Sequence, residues 1–349
     1  MRSLRTYLFT LAIIFPPLVS CSSIDIEDMR DDYVTLCLNT PRIAADTDTK
    51  SMPIDGEFFP WQSRIHAAQT ADTRFYEYSI ALWICDKGTL TPHMEEHKNN
   101  NLSLRAECYI PSGTRYYYWR KNGKSYSPSV RLRKDIDIYA YYPTVTTRDF
   151  TPDKVPFTTN EQKDWMWAET AIDGNHNVSF LFHHAMTCIE IRLSTTYANS
   201  INLRNIVLKD RENSLVSSGT MDIRNGELVF TADKSSITIS GNNANSNLIP
   251  VHKEDNTSYQ SFCFLMPEKA FEPGSLTLTF YYDGGTVSRT EPYVIPSSFK
   301  DKDGVPQTIT ALEKGKRYVL NLMIDNSVYI KPLSFVTEDW TVEEIDLNL

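Results

Sequence analysis

Short runs of alternating apolar and polar residues, separated by turn signals, recur along almost the whole of this 349-residue chain. No long window carries the 3.6-residue period of an amphipathic helix. Tyr33 to Asn39 (YVTLCLN) sets Val34, Leu36 and Leu38 on one face and Thr35, Cys37 and Asn39 on the other. Tyr76 to Cys85 (YEYSIALWIC) reads as a buried strand, and Asp135 to Tyr142 (DIDIYAYY) alternates up to Pro143. Cys188 to Leu193, Ser275 to Tyr282 and Arg317 to Ile324 repeat the pattern. Asn122-Gly123, Asn225-Gly226 and Asp283-Gly284-Gly285 supply hairpin turns, because Asn and Gly tolerate the positive φ such turns require. Strands of this length and spacing indicate sandwiches rather than an α/β fold. An aromatic content of 12% and a hydrophobic content of 41% are enough for real cores. The expected class is all-β, with two tandem β-sandwich domains, 21–175 and 176–349, and a first strand at about 33–39.

The first 21 residues fix where the chain lives. Arg2 and Arg5 form a basic start, and Tyr7 to Phe15 is an apolar run ended by Pro16-Pro17. The run is shorter than the roughly 20 residues a membrane-spanning helix requires, so residues 1–20 read as a secretory signal peptide. Leu18-Val19-Ser20-Cys21 has the form of a bacterial lipoprotein cleavage site. Cys21 is then the lipid-bearing mature N-terminus, and the acidic cluster from Asp25 to Asp32, though it starts four residues late, resembles the signal of Bacteroides-type lipoproteins for display on the outer face of the outer membrane. Asp25, Glu27, Asp28, Asp31 and Asp32 make the next segment a solvated acidic tether.

A formal net charge of −9 argues against a nucleic-acid partner, which would want a basic face. Beyond Cys21 there remain Cys37, Cys85, Cys108, Cys188 and Cys263, an odd number with no metal-knuckle spacing. Most lie in strand-like runs, where a thiol behaves as a small hydrophobe, so buried free thiols are expected. A disulfide is possible in an exported protein, but spacing assigns none. His93-Met94-Glu95-Glu96-His97 matches H-x-x-E-H, but that motif works on a helix with apolar support, and here it reads as a solvated loop. Adjacent strand positions send His183 and His184 to opposite faces, which suits structural roles better than shared metal ligation. No catalytic group, metal site or cofactor is expected, and the chain does not read as an enzyme.

Several landmarks then come in a telling order. They are the lipoprotein start, Ile138-Tyr139-Ala140-Tyr141-Tyr142-Pro143, Trp165-Met166-Trp167-Ala168, and Phe180-Leu181-Phe182-His183-His184-Ala185-Met186-Thr187-Cys188-Ile189-Glu190-Ile191. Gly315-Lys316-Arg317-Tyr318-Val319-Leu320-Asn321-Leu322 and Asp339-Trp340 close the series. In this the chain resembles fimbrillin-family (Mfa-like) proteins, although Met186-Thr187-Cys188 stands where the family more often has Leu-Ala-Lys. The resemblance implies two transthyretin-like sandwiches and a subunit of a type V pilus of Bacteroidota. Such a subunit is exported as a lipoprotein, cut after a basic residue and polymerised by strand exchange with other pilus subunits.

On this sequence the cut falls after Arg42, with Lys50 and Arg64 as other basic candidates. Release of the first strand empties a groove shaped for Val34, Leu36 and Leu38. The tail 341–349 offers Ile345, Leu347 and Leu349 opposite Asp346 and Asn348 as a donor strand, or is simply a last edge strand. Without a cut the chain would be an anchor or capping subunit. A different reading is a non-polymerising surface lipoprotein that binds a host protein or glycan through aromatics such as Tyr116 to Trp119.

Overall fold

A computed structural model describes residues 33–43, 56–57, 68–70, 73–109, 112, 114–122, 124–126, 128–133, 135–147, 149–240, 248–251, 258–270, 272–284, 287–300, 305–325 and 329–339. Among these the regular structure is strand, apart from two single 3-10 turns, Glu95–His97 and Pro152–Lys154. The first thirteen strands are β1 (Tyr33–Leu38), β2 (Arg42–Ile43), β3 (Gly56–Glu57), β4 (Ala68–Thr70), β5 (Thr73–Asp86), β6 (Asn100–Tyr109), β7 (Thr114–Lys121), β8 (Lys124–Ser125), β9 (Ser129–Arg133), β10 (Ile136–Tyr142), β11 (Val155–Thr158), β12 (Met166–Ile172) and β13 (Asn177–His184). All but β11 join one 12-stranded sheet with the path β3-β2-β13-β12-β10-β5-β6-β7-β8, in which β1 pairs with both β13 and β9.

The chain continues as β14 (Thr187–Thr195), β15 (Ile201–Asp210), β16 (Leu215–Asp222), β17 (Glu227–Lys234), β18 (Ser236–Ser240), β19 (Leu248–Ile249), β20 (Gln260–Met266), β21 (Lys269–Ala270), β22 (Leu276–Gly284), β23 (Val287–Val294), β24 (Ser298–Lys300), β25 (Pro306–Thr308), β26 (Ala311–Leu312), β27 (Lys316–Asp325) and β28 (Tyr329–Asp339). These form a four-stranded sheet β20-β14-β27-β28 and a five-stranded sheet β18-β15-β22-β23, in which β19 also pairs with β15. A small sheet β11-β16-β17 sits beside them. The division expected at 175/176 falls in the turn between β12 and β13, whose strands are paired in the same sheet from Met166↔His184 to Ile172↔Val178. The chain changes sheet at Ala185-Met186, just before β14.

Period-2 patterning accounts for two of the three cores. Tyr76, Tyr78, Ile80, Leu82 and Ile84 of β5 meet Ile136 and Ile138 of β10 and Phe180 and Phe182 of β13. In the second half, Ile189, Ile191 and Leu193 of β14 pack with Leu278 and Phe280 of β22 and Leu320 and Leu322 of β27. The third core joins the halves. Ala81, Trp83 and Cys85, on the other face of β5, and Tyr141 of β10 pack with Cys188 of β14, Cys263 and Leu265 of β20, and Val155 and Phe157 of β11. Strand β5 is therefore buried on both faces along Ile80–Cys85, which explains its unbroken apolar run.

Polar groups hold the same junction. Buried Gln162 accepts the Leu265 N–H at 2.8 Å and donates to the Leu265 carbonyl at 3.1 Å, as a neighbouring strand would. His184 Nδ1 lies 2.9 Å from Oδ1 of fully buried Asp164. Gly226, at φ +72°, packs against Trp167 so closely that a Cβ would fall 2.1 Å from the indole nitrogen.

The expectation of buried free thiols is met at Cys85 and corrected at Cys37, Cys188 and Cys263. Cys188 and Cys263 form a disulfide with Cα atoms 6.2 Å apart, and Cys37 is also disulfide-bonded. Cys85 is free, with burial and the nearby Asp137 and Asp86 pushing its thiol up to about 11. Sequence spacing hid the pair because the two residues stand 75 positions apart and become diagonal neighbours only when β14 pairs with β20.

A buried carboxylate gives the fold an acid limit. Burial alone would raise Asp210, but the Ser214 hydroxyl at 2.7 Å, the Ser214 N–H at 3.0 Å and the Lys269 ammonium at 3.5 Å hold it below the ordinary carboxylate value of 3.8. A lowered folded pKa contributes stability above the unfolded value, and that stability disappears as pH falls through the folded one. Asp210→Asn is expected to lose about 1.5–3 kcal/mol at neutral pH, the worth of hydrogen bonds to a charged group. Urea midpoints should show that gap closing below the unfolded carboxylate pKa; a gap independent of pH would contradict it.

Candidate functional site: a strand held at the rim of the first sheet

Strand β1 obeys the alternation its sequence sets. Leu36 and Leu38 are buried in the first core, at 2% and 7% exposure, while Thr35 and Asn39 face solvent. The Val34 side chain lies outside the described residues. Tyr33 to Cys37 runs antiparallel to β9, from Tyr33↔Arg133 to Cys37↔Ser129. At Cys37 and Leu38 the strand also runs parallel to β13, opposite Asn177 and Val178. Backbone bonds from Cys37 to His176 (3.0 Å), Leu38 to Pro128 (3.1 Å) and Asn39 to Val178 (2.9 Å) fix this register.

Beyond Pro41, which is buried, β2 resumes the parallel ladder with Arg42↔Leu181 and Ile43↔Phe182. Residues 37–43 thus form one ribbon along β13, with a single-residue register slip between Leu38 and Arg42. Strand β13 pairs with β12 on its other edge, so this ribbon covers the edge of β13 that β12 leaves open.

Arg42 is exposed, and its backbone pairs on both sides, with Leu181 of β13 and with Glu57 of β3. Beside it lies a cavity of about 470 Å³ lined by Asn39, Arg42, Glu169, Ser179 and Leu181, among others. Two of these lining residues are linked, Asn39 donating to the Ser179 hydroxyl at 3.0 Å. The structure brings the candidate cut and the candidate groove together. Cys21, Lys50, Arg64, Ile345, Leu347 and Leu349 lie outside the described residues. What sequence reading missed is the parallel pairing of residues 37–43 with β13, since parallel partners 140 residues apart leave no local signature.

The other motifs also find places. His93 lies 2.7 Å from Asp86 and stacks on His97, with ring centroids 5.9 Å apart. His97 is not solvated as expected but 5% exposed, and its burial pushes it below the ordinary imidazole range. His183 and His184 do take opposite faces, His183 stacking on Trp167 at 4.7 Å while His184 faces Asp164. Among the described residues no group of three His, Cys, Asp or Glu side chains is arranged to hold a metal ion. No helix among them is long and apolar enough to cross a membrane.

A family model described as fimbrillin-like matches residues 71–340, well over half of the sequence. The chain belongs to the fimbrillin-like family. As a fimbrillin-like protein it is a fimbrial or adhesion subunit of the cell surface rather than an enzyme. Among solved structures it is similar to a Bacteroides uniformis protein assigned to cell adhesion, at 13% identity and a TM-score of 0.47. That alignment covers 90% of this fimbrillin-like chain and all of the other. A Bacteroides ovatus protein assigned to cell adhesion aligns at 17% identity and TM-score 0.46, over 89% and 99% of the two chains. The tip fimbrial protein Mfa3 of Porphyromonas gingivalis aligns at 12% identity and TM-score 0.35, over 76% and 98%. No curated protein matches.

Proposed function

We propose that this chain is a type V pilus subunit, exported as a lipoprotein through Cys21 and assembled by strand exchange at the groove that β1 now fills. On this reading the two halves are transthyretin-like sandwiches that divide near Ala185. A surface protease cuts after Arg42 and the ribbon ending there leaves the outer membrane-bound precursor. A neighbouring subunit then lays its tail, with Ile345, Leu347 and Leu349, along the freed edge of β13. The observation that carries the reading is the ribbon itself, with two buried leucines on one face and an exposed arginine at its end. Leu36 and Leu38 contribute about 1.5–3 kcal/mol each by burial, so an emptied groove strongly favours a replacement strand.

A second reading, an uncut subunit that anchors the pilus through its lipid, is favoured by the pairing of the Arg42 backbone on both sides. A trypsin-like protease acting on the purified precursor separates the two. Strand exchange predicts a new N-terminus at Ile43 and slow growth of SDS-resistant ladders, lost on truncation from Thr341. A chain cut there that stays monomeric contradicts the exchange reading, and resistance of Arg42 to cutting favours the anchor.

A further inference from the structure

The outer face of β5, β6 and β7 carries an arrangement that the strand-exchange reading does not use. Cross-strand register sets Phe75 and Glu77 of β5 opposite Glu107 and Arg105 of β6, and these opposite Tyr116 and Tyr118 of β7. The Arg105 guanidinium lies 3.9 Å above the Phe75 ring, 3.0 Å from Glu107 and 3.9 Å from Glu77. Arg120 pairs with Glu77, and the Tyr118 hydroxyl donates to Glu107. Among the described side chains of this face these charges are paired with one another and sum to zero, two carboxylates against two guanidiniums. Flanking them, Tyr116 is 62% exposed and Tyr109 43% exposed, diagonal neighbours on adjacent strands of the same face.

We infer that this face is a binding platform for a neutral oligosaccharide, with pyranose rings stacking on Tyr116 and Tyr109 and their hydroxyls bonding to Glu107, Glu77 and Arg120. Tyr rings offer rigid, amphipathic area at small entropic cost, suited to the C–H face of a sugar. Carboxylates accept and guanidiniums donate, so a polyol finds both kinds of partner within one patch. The cancelled charge disfavours a sulfated or phosphorylated ligand, which would want excess cation. Because the ion pairs already hold Arg105 and Arg120, little is lost in ordering them on binding. Tyr117 and Trp119, which the sequence groups with Tyr116, turn inward, Trp119 to 4% exposure, and take no part. The platform lies at the β5-β6-β7 side of the sheet path, far along it from the ribbon on β13, so strand exchange leaves it open.

The test is calorimetric titration of the full-length chain with cellohexaose, mannohexaose and, as an anionic comparison, heparin. Saturable binding of at least one neutral hexasaccharide is expected. Tyr116→Ala should weaken it by about tenfold, the scale of one lost aromatic contact, with the melting temperature unchanged. Tyr109→Ala should weaken it too, and Val229→Ser, at an exposed residue on another sheet, should not. Failure of both neutral sugars to bind overturns the inference. So does binding of heparin alone, or neutral-sugar binding that survives the Tyr109 and Tyr116 double replacement.

Discussion

Glu190→Ala is expected to lose about 3–5 kcal/mol of stability, the range for breaking a buried ion pair by removing one member. Glu190 is 1% exposed, yet it lies on the face of β14 opposite the one that carries Ile189 and Ile191 into the second core. Its Oε1 accepts from Arg192 Nε at 2.6 Å and from the Ser261 hydroxyl at 2.7 Å. Its other oxygen lies 3.3 Å from both Arg192 Nη2 and Arg317 Nη1. Arg192 stacks on Tyr259 and reaches partly into solvent, so it tolerates the loss. Arg317 is 8% exposed, so the loss of this carboxylate removes a charged contact made out of reach of water. Urea unfolding of Glu190→Ala should therefore show the large loss, and Glu190→Leu with Arg317→Met should recover most of it. A loss below about 1 kcal/mol, the worth of an exposed pair, would contradict the account.

Trp83→Ala is expected to cost about 3–5 kcal/mol, the range for truncating a large buried aromatic. Trp83 is fully buried in the third core and tilts against Phe150, with ring centroids 5.6 Å apart. The indole N–H has no hydrogen-bond partner among the described residues, so Trp83→Phe removes volume without orphaning a polar group and should cost far less. Because that core joins the first sheet to β14 and β20, thermal unfolding of Trp83→Ala should shift in one step for both halves. An early transition of one half with the other unmoved would show that the core does not couple them.

Period-2 patterning made most of the fold legible. Leu36 and Leu38 face inward and Thr35 and Asn39 outward, as the alternation sets, and the turn at Asn122 has its positive φ of 51°. What stayed hidden depends on long-range pairing. The Cys188–Cys263 disulfide requires β14 and β20 to be neighbours, and the parallel ribbon on β13 requires residues 140 positions apart to meet. His97 was misread because polar neighbours in sequence suggested solvent, whereas the 3-10 turn folds its ring inward beside β5. In the candidate site the strand and Arg42 could be found from sequence. The pairing of Arg42 on both sides could not.

On the strand-exchange proposal, residues 33–42 occupy a slot that another strand can fill. Amide hydrogen exchange along Val178–Phe182 of β13, followed before the cut, after it, and after addition of the peptide YVTLCLNTPR, reads out whether that slot empties and refills. Low exchange in the intact chain, fast exchange once the ribbon has left, and protection restored by the peptide are predicted. Protection on β13 that does not change when residues 33–42 are removed would contradict the account.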